Sequence, residues 1–149
     1  MPDKSASALL LALSTELAGL IRDVGPSLIS IQSGRARSSG FVWRPGLIVA
    51  AEDALADEGE FSIVAHDGVS SPARVVGRDP STDVALLRVE RTDLPNAPPA
   101  AAGPAAGSLV VVAGAREGAA NAALEHRTVR LNRGGFRRGG ECDSLPDWR

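Results

Sequence analysis

The chain has no tyrosine, three phenylalanines, two tryptophans and a single cysteine. With so few rings there is little on which nucleobases could stack, and a net charge of −2 over 149 residues gives no electrostatic reason to bind a polyanion. Nucleic acid is therefore not an expected partner. The lone Cys142 excludes an internal disulfide and lies in a polar C-terminal stretch, so it says nothing about compartment. No long apolar run is present either. The run from Leu9 to Leu13 is broken by Ser14, Thr15 and Glu16, too early for a signal-peptide core or a membrane span. The expectations that follow are no membrane partner and a cytoplasmic chain. Internal repeats are absent as well.

What remains is 44% hydrophobic and 23% charged, the balance of a soluble chain with a core. The length suits one ordinary domain, or a small one plus part of another. Leu9, Leu13, Leu17, Leu20 and Ile21 recur at three- and four-residue spacing and Gly25-Pro26 follows, which predicts an amphipathic helix within residues 1–23. Beyond Pro26 the period shortens. Apolar runs at 27–32, 39–44, 46–51, 60–66, 71–78 and 83–90 are separated by turn residues, predicting six short antiparallel strands in a barrel or sandwich over 24–93. Asp67-Gly68 is a tight hairpin signal, and it places His66 at a strand end rather than in a catalytic site. Residues 94–107, rich in Pro, Ala and Gly, read as a linker. One strand at 108–116 and a second within 123–131 make a rudimentary second unit, and 132–149 reads as a disordered tail without strand pattern.

The segment Gly77 to Glu90, GRDPSTDVALLRVE, sets a carboxylate at the mouth of an apolar run. Asp79-Pro80-Ser81-Thr82 is turn chemistry, and Val84, Leu86, Leu87 and Val89 read as core, so Asp83 is expected to be buried where turn becomes strand. Taken alone, such a residue is a capping or turn aspartate.

The order VGPSLISIQ, SSGFVW, GLIVAA, DG, ARVVGRDPSTDVALLRV and GSLVVVAG resembles the trypsin-like serine proteases of the HtrA/Deg type over roughly residues 24–116. The likeness is strongest at Asp79, Pro80, Thr82, Asp83, Val84, Ala85 and Leu86. It implies an all-β fold whose N-terminal antiparallel barrel carries Asp83 at the position of the triad aspartate. It also implies a histidine after the strand GLIVAA, yet Asp53 stands there, with Glu52 beside it. A carboxylate with an ordinary pKa near 3.9 has neither the basicity nor the second nitrogen that a triad base requires. The family's G-x-S-G-G-P nucleophile loop does not occur in the chain; Gly134-Gly135 and Gly139-Gly140 lack the serine, and Ser144 has the wrong neighbours.

The resemblance therefore implies an inactive homologue. Two readings follow: a pseudoprotease that binds a peptide or protein partner, or itself, through an exposed barrel face, or a truncated or frameshifted fragment of a serine endopeptidase-like protein. A third gathers Glu52, Asp53 and Asp83 around a hard cation such as calcium, although the dense oxygen spacing of dedicated calcium loops is missing. Two RGG-like strings around Phe136 are too few for single-strand binding. No cofactor is expected. An unpaired strand edge at SLVVVAG predicts self-association unless that strand docks on its own barrel.

Overall fold

The computed structural model of the chain describes residues 4–34, 36–57, 59–105, 107–125, 136–137 and 141–142. Helix α1 (Lys4–Val24) leads through a short 3₁₀ turn (Gly25–Ser27) into β1 (Leu28–Ser33). Pro26 stands in that turn, where its missing N–H costs nothing and its fixed φ ends the helix. Five further strands follow: β2 (Ala36–Arg44), β3 (Leu47–Ala51), β4 (Phe61–Val64), β5 (Ser70–Asp79) and β6 (Val84–Val89). They close into an antiparallel barrel in the order β1-β2-β3-β6-β5-β4, which leaves no free edge. The barrel reading is thus realised.

Alternation along the strands fills the barrel. Ile29 and Ile31 of β1, Val42 of β2, Ile48 of β3, Ile63 of β4 and Leu87 of β6 are fully enclosed. Each such side chain stabilises the fold by about 1.5–3 kcal/mol relative to exposure. Gly40 is a requirement of this packing, since a Cβ there would stand 2.5 Å from the Val49 carbonyl oxygen on the neighbouring strand. β2 carries one extra residue between Val42 and Arg44, so that Arg44 as well as Trp43 faces outward.

Two compact units are present. The first comprises residues 1–99 and 112–123, so it reaches past the predicted linker boundary. Leu94 shows why: it is 4% exposed and belongs to the barrel core, and the Ala97 N–H donates to the Val42 carbonyl at 2.7 Å. The second unit comprises residues 100–111 and 124–149. Strands β7 (Val110–Arg116) and β8 (Ala119–Glu125) pair as a hairpin around Glu117 and Gly118, both at positive φ. The second strand thus begins at 119 rather than 123, because Glu117-Gly118 supplies the tight turn; residues 126–131 lie outside the described residues. In the tail, read as strandless, β9 (Phe136–Arg137) pairs with β10 (Glu141–Cys142). Gly134-Gly135, Gly139-Gly140 and Ser144 lie outside the described residues.

The leucine stripe of α1 is not buried against the barrel, as Leu9, Leu13 and Leu20 are exposed and Leu17 and Ile21 are only half-buried. The amphipathic spacing selects a helix without dictating what its face meets. Among the described residues no helix is long and apolar enough to cross a membrane.

Candidate functional site

The residues singled out by resemblance sit where β3 leaves the barrel and β6 enters it. The β3–β6 register sets Ala51 beside Val84, so the segments that extend those strands, residues 52–57 and 80–83, lie next to each other. Asp83 and Asp53 are therefore brought together, through a backbone group rather than as a pair of facing carboxylates. The Asp53 N–H donates to Asp83 Oδ1 at 2.8 Å, and the Glu52 N–H donates to the Asp83 carbonyl at 3.2 Å.

Asp83 is exposed, which corrects the expectation of a buried aspartate. The physical reason is its backbone. At φ 54° it ends the turn in the left-handed region, and inward alternation starts only after it, with Ala85 and Leu87 buried. The turn role belongs to Asp79, whose Oδ1 accepts from the Ser81 N–H and hydroxyl and whose Oδ2 accepts from the Thr82 hydroxyl. Those donors hold the Asp79 carboxyl below the usual carboxylate range.

The loop after β3 is held by several contacts. Arg78 of β5 donates through Nη1 to Glu52 Oε1 at 3.0 Å, and through Nη2 to the carbonyls of Ala56 and Asp57. The Ala56 N–H donates to the buried Ser33 hydroxyl at 3.0 Å, and Leu55 is buried in the core. Sequence reasoning missed Arg78 and Ser33. Arg78 carried a signal, being an arginine at the end of a strand immediately before the acidic turn. Ser33 carried none.

The cation reading is corrected by the same contacts. Glu52 is engaged by a guanidinium and Asp83 by an amide, and among the described residues no group of three His, Cys, Asp or Glu side chains is placed to hold a metal ion. His66 is exposed in the turn after β4, as its place in the sequence implied.

A second feature is the outer wall. The registers of β2, β3 and β6 set Phe41 beside Val49 and Val49 beside Leu86, forming a row that points away from the core. Phe41, Trp43 and Val76 are 38%, 46% and 43% exposed. Arg44 lies over the Trp43 ring, 4.5 Å from its centroid.

A closed six-stranded barrel with the D-P-S-T-D-V-A-L segment entering its last strand is the arrangement expected of a trypsin-like N-terminal half. The family model described as "Trypsin-like peptidase domain" matches residues 38–145. The chain belongs to that family. Within it, curated relatives described as DegP-like periplasmic serine endoproteases place it with the HtrA type. The relative from Chlamydia pneumoniae is 38% identical over 60 residues, covering 40% of this chain and 12% of the relative. The one from Rhizobium meliloti (strain 1021) is 35% identical over 57 residues, covering 38% and 11%. The chain thus spans about an eighth of the length of the curated relatives it matches. Among solved structures, the Rv3671c protease in an inactive form is 28% identical with a TM-score of 0.67, covering 80% of this chain and 61% of that one. A serine-to-alanine mutant of Rv3671c from M. tuberculosis H37Rv, also an inactive form, is 30% identical with a TM-score of 0.63, covering 80% and 58%. The trypsin-like, HtrA-type assignment and the all-β barrel are thereby shown.

Proposed function

We propose that this chain is a catalytically inert member of the trypsin-like, HtrA-type family, acting as a binding scaffold for a peptide or protein partner. The observation that carries the reading is that the residue brought beside Asp83 is another aspartate, Asp53, joined to it through its backbone N–H. In a working triad the aspartate accepts from an imidazole N–H, orients the ring and stabilises its charged form. Here the residue read at the histidine position is Asp53, which has no imidazole N–H to be oriented, and Asp83 Oδ1 accepts from its backbone N–H. A loop held by Arg78, Ser33 and Asp83 has little freedom to rearrange into a productive geometry. Loss of the triad base removes general-base activation of any serine, a loss of many orders of magnitude in rate. The exposed Phe41, Trp43 and Val76 on the outside of the barrel support a binding role, since exposed apolar surface marks interaction sites.

The test is a peptidase assay of the purified chain on a fluorogenic casein substrate from about pH 5 to 9, with Asp53→His as a second arm. Both are expected to remain at the buffer blank. Turnover by the unaltered chain that survives repurification would sink the proposal. A second reading, part of a longer serine endopeptidase-like protein, is favoured by the small share of the relatives that the chain matches. Immunoblotting of the natural source separates the two: a single band near 15.3 kDa supports the scaffold, and only a larger one supports the part.

A further inference from the structure

The β5–β6 register sets Arg74 directly opposite Arg88. Directly opposed side chains on an antiparallel pair have Cβ atoms about 4.5–5.5 Å apart, and like charges so placed destabilise the sheet. Both arginines are exposed. Other arginines of this barrel find partners: Arg37 pairs with Glu117, Arg78 with Glu52, and Arg91 with Asp67 and Asp93, while Arg44 rests on Trp43. Among the described residues, neither Arg74 nor Arg88 has a carboxylate within ion-pair distance. Two adjacent guanidinium groups with no carboxylate within ion-pair distance are a cost unless an anion comes between them.

The place for that anion exists. Arg74 and Arg88 line one open depression of about 540 Å³, with Pro72, Glu90 and Thr92 on its walls. Two arginines and one glutamate leave the lining with a charge of +1, which suits a single carboxylate better than a multiply charged phosphate. A guanidinium fork meets a carboxylate with two parallel hydrogen bonds, and each arginine offers such a fork. The depression is far larger than a carboxylate group, and Pro72 and Thr92 border the remaining space. That combination suits a length of peptide chain around the anchoring acid.

We propose that the Arg74–Arg88 depression is a docking site for an acidic peptide segment, anchored by one carboxylate between the two guanidinium groups. The carboxylate is either a Glu or Asp side chain or a chain terminus. The site lies on the barrel wall and involves neither Asp53 nor Asp83, so it goes beyond the reading given above and stands whether or not the chain hydrolyses peptides.

The test is fluorescence anisotropy with three labelled hexapeptides at low salt: a central Glu-Glu with an amidated C-terminus, the same sequence with Gln-Gln, and the Gln-Gln peptide with a free C-terminus. Binding of the first and not the second assigns a side-chain carboxylate; binding of the third assigns a chain terminus; either supports the proposal. Arg74→Glu is expected to weaken that binding by about tenfold or more, the scale of a lost charge-assisted hydrogen bond. It also places opposite charges at the cross-strand pair, so the variant should be at least as heat-stable as the parent, which separates lost binding from lost folding. Arg22→Glu, the same charge reversal on α1, should bind like the parent. The proposal is overturned if no peptide binds at about 1 mM, if Gln-Gln with an amidated end binds as well as Glu-Glu, if Arg74→Glu leaves affinity unchanged, or if inorganic phosphate alone binds while the peptides do not.

Discussion

Asp83 illustrates what one residue can come to do within a retained backbone. The turn that presents it and the strand that follows it are those of a trypsin-like barrel, while its carboxylate accepts from the N–H of Asp53. Its left-handed φ is tolerated by Asp and Asn because their short polar side chains bond locally, whereas other residues with a Cβ pay about 1–2 kcal/mol. Asp83→Asn keeps both the acceptor and that tolerance and should shift stability by no more than about 0.5 kcal/mol. Asp83→Ala loses both and should cost about 1–3 kcal/mol, read as a lower urea midpoint at unchanged slope. An Ala variant as stable as the parent would show that this contact contributes nothing. The position of Asp83 was legible in the sequence because D-P-S-T-D-V-A-L is local. Its exposure and its acceptor role were not, because they depend on a loop 30 residues away.

Among the elements, the β7–β8 hairpin answers the question of the unpaired strand. Its portion within the first unit is held to β2 and to the end of β4. The Ser39 hydroxyl donates to the Ala115 carbonyl at 2.9 Å and accepts from the Ala115 N–H at 3.0 Å. Arg37 pairs with Glu117 beside it. Gly118 sits at φ 82°, and a Cβ there would stand 2.7 Å from the Ala65 carbonyl oxygen. Gly118→Val combines a strained φ with that collision and should lift the hairpin from the barrel at a cost of about 2 kcal/mol or more. Hydrogen exchange gives the readout: the Ala115 amide should lose protection while Ile31, deep in β1, keeps it. Equal protection of Ala115 in both proteins would mean that the docking does not depend on the glycine. The strand at 108–116 could be read from its valines. Its docking could not, because Ser39 and Gly114 are ordinary turn and strand residues until the fold brings them together.

At the scale of the whole molecule, the barrel is closed by a charge clasp as well as by its core. Arg91, just after β6, donates to Asp67 in the β4–β5 turn at 2.8 Å and to Asp93 at 2.6 Å. The Arg91 guanidinium, with help from the Val69 N–H, lowers the Asp67 carboxyl to about 2, and the same arginine holds Asp93 below its ordinary value. A carboxyl whose folded pKa is depressed contributes stability above its unfolded pKa, near 3.9, and loses it as pH falls through the folded value. Stability should therefore decline between about pH 4 and pH 2, and Asp67→Asn should flatten that decline while lowering stability at neutral pH. Parallel acid-unfolding curves for the two proteins would remove Asp67 from the account. Since these groups are exposed, salt should shrink the difference.

The sequence by itself determined the helix, the six barrel strands and their turns, because apolar period and turn chemistry are local and the hydrophobic effect acts on them wherever the chain goes. It also carried the resemblance by which Asp53 is read at the place of a triad histidine. Only the tertiary structure decided what the resulting groups do. It set the Asp83 carboxylate against a backbone amide, gave Glu52 to Arg78 rather than to a metal, left Leu9, Leu10 and Leu11 of α1 exposed, and set Arg74 against Arg88. Each of these outcomes depends on which side chains meet across strands, and pairing between distant segments is fixed by the closure of the barrel rather than by the spacing of residues along the chain.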